Sequence, residues 1–183
     1  FRSGAIDAAA RGAALALMPF AFARAGMDAA QVGVAFAVLF GAGAAGKFLC
    51  GPLASRAGLA ITIIVTEVVT ALGIVVIPVA PREAILWAIL PFGFSLNGTS
   101  SVLYALVAPL AVPAQRARAY GLYYTVTLLA TAGSPLVYGA VADVTGLGAA
   151  FAALGGVTLV VVPLAWAWRS AFESPPVLVT AVR

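Results

Sequence analysis

The chain contains no histidine and a single cysteine, Cys50. Without an imidazole there is no Ser-His-Asp triad, no Ser-His dyad, no HExxH zinc site and no haem ligation by histidine. One thiol forms neither an intrachain disulfide nor a multi-cysteine metal site. No metal and no cofactor are therefore expected. Charge is equally scarce: 9% of the 183 residues are Asp, Glu, Lys or Arg, against about 25% in an average soluble domain. The first residue is Phe1 rather than Met, and no basic n-region with a cleavage site precedes an apolar run. No signal peptide is read, and the chain is expected to be a piece of something longer.

What the chain has in quantity is apolar surface. Hydrophobic residues make up 63% of it, and the mean hydropathy is +1.11. A soluble core cannot hide so much, so lipid must be the solvent for most of the chain. A helix needs about 20 mostly apolar residues to span a bilayer. Short clusters of charge, Gly and Pro divide the sequence into six such stretches, near 4–23, 30–54, 59–80, 84–111, 119–141 and 147–168. The expected fold class is an all-α membrane protein, a bundle of six transmembrane helices occupying 1–170. Residues 171–183, with Glu173, Pro175 and Pro176, read as a cytoplasmic tail.

The net charge of +4 does not point to nucleic acid, because the basic residues track membrane sidedness instead. With the N-terminus in the cytoplasm, the inner segments hold Arg2, Lys47, Arg56, Arg116, Arg118, Arg169 and Arg183. The outer loops hold only Arg24 and Arg82, beside Asp28, Glu83 and Asp143. The positive-inside rule favours that orientation, with both ends cytoplasmic.

Two turns look alike. GPLASRAG (Gly51 to Gly58) closes the second stretch, and GAVADVTG (Gly139 to Gly146) closes the fifth. Both read G-x-x-A-[S/D]-x-x-G. Helices two and five are equivalent if the chain is two three-helix units, and an odd number of spans per unit inverts the second unit relative to the first. Inverted repeats of this kind build many secondary transporters.

Gly41, Gly46 and Lys47 also satisfy the spacing of a phosphate-binding loop. Phe48, however, stands where that loop needs Ser or Thr, and no strand pattern precedes it. The better reading is helix packing through Gly41, Gly43, Ala45 and Gly46. Lys47 is placed near the helix end, its stem snorkelling to the interface.

Ionisable groups at membrane depth are costly and usually face a cavity or a partner. Asp7 and Arg11 are four residues apart on one helix face, and Arg11 lies about 18 Å from Ala23 along the helix. They read as a pair that binds substrate or couples protons in a central cavity. The alternative is an interfacial pair on a helix that starts later. Glu67, among Thr62, Thr66 and Thr70, could carry a coupling proton or serve structural hydrogen bonding. In the fourth stretch Asn97, Ser100, Ser101 and Tyr104 share one side. In the fifth, Tyr120, Tyr124, Thr127, Thr131, Ser134 and Tyr138 form a stripe. Asn97, Ser101, Tyr124 and Thr127 are the cavity candidates, with interhelical hydrogen bonding as the other explanation. Gly133, Ser134 and Pro135 mark an expected helix break.

In order along the chain, LMPFAFARAGMDAAQVG (17–33), GPLASRAG (51–58), RARAYGLYYT (116–125) and GSPLVYGAVADVTG (133–146) resemble the C-terminal six-helix half of a major facilitator superfamily transporter. NGTSSVLYALV (97–107) resembles the fosmidomycin-resistance-like branch of drug exporters. The resemblance implies a secondary transporter that carries a small molecule by alternating access, with proton-coupled efflux in a bacterial inner membrane. Its partners would be the lipid bilayer, the substrate, protons and a missing N-terminal six-helix half. It also implies a gating role for the loop Gly51, Ser55, Arg56 and Gly58. Ser55 stands where the superfamily motif usually has Asp, so this copy should latch weakly, with Ser55 capping the third helix. Gly133, Pro135, Gly139 and Asp143 match the family's exit from the fifth helix, and their position leans toward export. The rivals are a six-helix channel, a non-transporting scaffold or an intramembrane enzyme. No ring of charges, no carbonyl-rich filter and no catalytic pair of carboxylates supports them.

Overall fold

A computed structural model describes residues 2–167 and 169. Every element among them is helical. The order is α1 (Arg2–Arg24), α2 (Ala29–Ala57), α3 (Leu59–Val76) continued by a 3-10 turn at Ile77–Val79, α4 (Arg82–Ala105), α5 (Val107–Leu110), a 3-10 turn at Pro113–Gln115, α6 (Arg116–Thr145), α7 (Leu147–Leu159) and α8 (Val161–Ala167). They compose six spans long and apolar enough to cross a membrane, with α4–α5 and α7–α8 each forming one interrupted span. The expected six-helix bundle is thus the fold. The tail assigned to 171–183 lies outside the described residues.

The helix packing has the symmetry of a repeat. The second span packs most extensively on the fourth (α2 on α4), and the fifth packs on the first (α6 on α1). Exchanging the units 1-2-3 and 4-5-6 turns one pair into the other. The third span and the sixth meet each other directly, α3 against α7 and α8. Both seams are built on absent side chains. A Cβ on Gly46 would run into the Phe94 carbonyl oxygen, and one on Gly93 into the Leu39 carbonyl oxygen. Across the other seam, a Cβ on Gly12 would strike the Thr131 carbonyl oxygen. Lipid tails are as apolar as leucine, so close backbone approach, not water exclusion, holds such helices together.

The two similar turns are the same structure. Gly58 has φ 90° and ψ 148°, and Gly146 has φ 89° and ψ 157°. This corner of backbone space is essentially reserved for glycine. In each turn the glycine N–H donates to the alanine of the motif: Gly58 to Ala54 O at 3.0 Å, Gly146 to Ala142 O at 2.9 Å. Each glycine carbonyl then accepts from the residue four further on, Thr62 or Ala150, and so starts the next helix. One residue reverses the chain.

The structure corrects several local readings. Gly51, Ser55 and Arg56 are not in a loop, because α2 runs to Ala57 and only Gly58 is outside a helix. Ser55 does not cap α3. Gly58 occupies the cap position, and Ser55 Oγ donates back to Pro52 O at 2.8 Å. Gly133 to Pro135 is not a break either, since α6 is continuous through it. Pro135 lacks the N–H that would bond the Thr131 carbonyl. Ser134 Oγ donates to that oxygen at 3.2 Å, so it keeps a partner and the helix persists.

The apolar core comes in two clusters. One gathers Phe22, Leu39, Ile74, Ile89, Phe92 and Leu154, and the other Cys50, Ile63, Val102, Leu106 and Val161. Between them each of several spans changes character. The α3 segment from Ile63 to Ile74 holds Glu67 and Thr70, α4 holds Asn97 and Thr99, and α7 holds Thr158, all buried. A polar layer therefore crosses the middle of the bundle.

The glycine seam makes a direct prediction. Gly46→Leu should lower the thermal unfolding midpoint of the detergent-solubilised protein, by an amount corresponding to about 1–3 kcal/mol of overpacking. Gly41→Ala, at a site with open space around it, should leave the midpoint unchanged.

Candidate functional site

Four spans open a cavity of about 390 Å³ at the level of the polar layer. α1 contributes Asp7 and Arg11, and α2 contributes Lys47. α4 supplies Ser100, Ser101 and Tyr104, while α6 supplies Tyr123, Tyr124 and Thr127. The cavity thus draws on spans one, two, four and five. The third and sixth spans stand behind it.

Asp7 is 3% exposed, and the Arg11 guanidinium one turn away is the cation that acts on it. Among the described residues no lysine or arginine comes within ion-pairing distance of a carboxylate, so the two are neighbours rather than a closed salt bridge. Asp7 in turn acts on Glu67 of α3. Glu67 is fully buried, and among the described residues neither of its carboxyl oxygens has a hydrogen-bond partner. The Thr70 hydroxyl, one turn along, is also without one.

The helix that carries Asp7 is fixed by α6. Thr131 Oγ1 donates to Ala8 O at 3.2 Å, across the seam and beside Asp7. Gly4 faces the Tyr123 ring, so α1 comes down on that ring without a side chain between them. Tyr104 of α4 lies 4.7 Å from Tyr120 and 5.9 Å from Tyr123 between ring centroids. The first pair is tilted by 40°, and the second is edge-on, the geometry that aromatic quadrupoles favour. Ser100 Oγ donates to Asn97 O at 2.8 Å, and Thr127 Oγ1 to Tyr123 O at 3.0 Å. Both hydroxyl protons are therefore spent on their own helix, and only their lone pairs face the cavity.

Of the cavity candidates read from sequence, Asp7, Arg11, Ser101, Tyr124 and Thr127 are brought together here. Asn97 lies elsewhere: it is buried in the α2–α4 seam against Gly43, with Nδ2 donating to Gly93 O at 3.3 Å. Glu67 sits behind the lining rather than in it. Asp143 is exposed and shares a crevice with Arg24 where α1 and α6 end. Gly133 and Gly139 have open space around them, and Pro135 is half-buried in α6.

Lys47 is the largest departure from the sequence reading. It does not snorkel from a helix end. α2 continues ten residues past it to Ala57, which puts it about 15 Å inside the helix. A lysine near mid-span costs about 2.5–3.5 kcal/mol on insertion scales, and this one is spent on the cavity wall. The sequence places the end of this stretch near residue 54, inside the GPLASRAG turn, whereas α2 runs to Ala57. Tyr123 was missed because its neighbours Tyr120 and Tyr124 defined the stripe. The sequence signal that would have found it is Gly4, a residue without a side chain on the facing helix.

A six-span helical bundle, with ionisable groups around a membrane-depth cavity and two matched turns, has the form of a membrane transporter's helical bundle. The Major Facilitator Superfamily model matches residues 2–181, and the chain belongs to that family. It is accordingly an integral membrane protein of a family of small-molecule transporters. No curated protein and no solved structure matches it.

Placement of Lys47 can be checked by accessibility in membranes. In a background with Cys50→Ala, Lys47→Cys should react with a water-soluble maleimide, whereas Asn97→Cys should resist it. Equal reaction at the two positions would contradict the cavity wall described above.

Proposed function

We propose that the chain is the C-terminal six-helix half of a secondary transporter that exports a small molecule by alternating access, driven by protons. The observation that carries this reading is the cavity lined from four spans, with Asp7 and Arg11 at its wall. A second six-helix bundle would close it. Support comes from the helices beside the cavity, since the spans containing α2 and α6 are the least buried of the six. These long apolar faces suit lipid and the N-terminal half. Asp7 and Glu67 are the proton-carrying candidates, one in the lining and one directly behind it.

The export direction, and a place in the fosmidomycin-resistance-like branch, rest on the resemblance of 133–146 and 97–107. The residues after Gly58 lack the family's trailing basic pair, and Ser55 replaces its Asp, so Gly51, Ser55, Arg56 and Gly58 would gate weakly. With Lys47 moved into the span, Arg2, Arg56, Arg116, Arg118, Arg169 and Arg183 remain against Arg24 and Arg82. That bias still supports both ends in the cytoplasm of a bacterial inner membrane.

The test is proton movement in everted vesicles that contain the intact protein. A panel of solutes is added to an established pH gradient, and a transported solute should dissipate it saturably. Asp7→Asn and Arg11→Ala should each reduce that response at least about tenfold, the usual scale for losing a charged hydrogen bond. Wild-type responses from both variants would remove the assignment. A flux that follows concentration without saturation would favour a channel.

A further inference from the structure

The cavity wall carries more positive than negative charge, and it is aromatic. We propose that it selects an organic anion bearing an aromatic ring, with Lys47 as the residue that confers the selectivity. This inference rests on the transport reading above and narrows it to a class of solute.

The charge argument starts from the lining. Arg11 and Lys47 face the cavity from two helices, and Asp7 is the only carboxylate among the described lining residues. Arg11 lies one turn from Asp7 on the same face of α1, so the one carboxylate of the lining stands beside Arg11 rather than beside Lys47. Lys47 has no such neighbour. No carboxylate among the described residues reaches it at ion-pairing distance. Glu67, the other buried acid, is fully enclosed behind the lining. An ammonium held at this depth is stabilised when an anion enters beside it, and Coulomb attraction is far stronger there than in bulk water.

The ring argument comes from the tyrosines. Tyr104 bridges Tyr120 and Tyr123 in one cluster, and Tyr124 is 63% exposed beside it. Such a surface offers edges and faces to a planar ligand. Tyrosine clusters also attract quaternary ammonium groups. Here, however, a cation would have to approach Lys47 and Arg11 with only Asp7 in compensation, so the same wall disfavours it.

The experiment uses three probes with one ring: naphthalene-2-carboxylate, naphthalene-2-carboxamide and a naphthyl trimethylammonium. Binding to the purified intact protein in nanodiscs is measured by equilibrium dialysis. The carboxylate should bind about tenfold or more tightly than the other two, as one charge-assisted contact provides. Lys47→Gln should abolish the preference and Lys47→Arg should keep it. Matched unfolding midpoints would show that both variants are folded. A wild-type preference for the amide or the cation would overturn the proposal, as would a carboxylate preference that survives Lys47→Gln. The two readings fail separately. Selective, Lys47-dependent binding without saturable uptake into proteoliposomes upholds the anion site and defeats the transport reading. Gradient-driven flux of a cationic solute does the reverse.

Discussion

Gly46 has no side chain, and the Phe94 carbonyl oxygen occupies the space where one would be. That contact states the constraint on which the bundle depends. In lipid, burying a leucine against another helix gains little over leaving it in the acyl chains. Spans adhere where their backbones can meet closely, and each unsatisfied polar group is expensive. Gly46 and Gly93 meet this requirement between α2 and α4, and Gly12 between α1 and α6. The cavity is the space these tight seams leave, since each seam ties one cavity-lining helix to another. A chain packed by large side chains would keep its helices further apart, with no sharp boundary between seam and void.

The same economy explains the polar residues. Threonines along the bundle donate to carbonyls of their own helices: Thr66 to Thr62, Thr99 to Ser95 and Thr158 to Leu154. They cost the membrane little because they ask nothing of their surroundings. Thr131 is different, reaching Ala8 across the seam while also bonding Thr127. Glu67 and Thr70 differ again, since nothing among the described residues satisfies them. The polar layer is therefore not uniform: most of it is self-contained, and a small part is exacting.

How much of this was legible in the sequence follows from the range of each physical signal. Long apolar runs are a local property, so six spans could be counted without any tertiary knowledge. The turn pair was legible because a backbone angle near +90° demands glycine, and Gly58 and Gly146 stand in the same frame of neighbours. Rotation about a helix axis was harder. Asn97 and Ser100 are three residues apart and look like one face, yet one enters the α2–α4 seam and the other the cavity. The boundary between the two lies within that small angular offset, and its position depends on where α2 sits. Lys47 was misplaced for a related reason. The apolar stretch gives out near residue 54, within GPLASRAG, but α2 extends through Pro52 to Ala57. Proline inside a helix is tolerated in lipid when neighbouring groups take up the freed carbonyl.

The fully buried Glu67 also has a meaning for how the chain enters the membrane. Its span, Leu59–Val79, is the most apolar of the six. An insertion machinery weighs each segment as it emerges, before any partner helix is available. A central acid counts against a segment by about 2.5–3.5 kcal/mol, and each Leu, Ile or Val counts for it by about 0.3–0.6 kcal/mol. Thirteen such residues lie in this span. The acid can thus be delivered to the bilayer interior by its own segment alone, without a rescuing neighbour. The surplus of apolar residues in α3, which packing does not require, then reads as a provision for biogenesis.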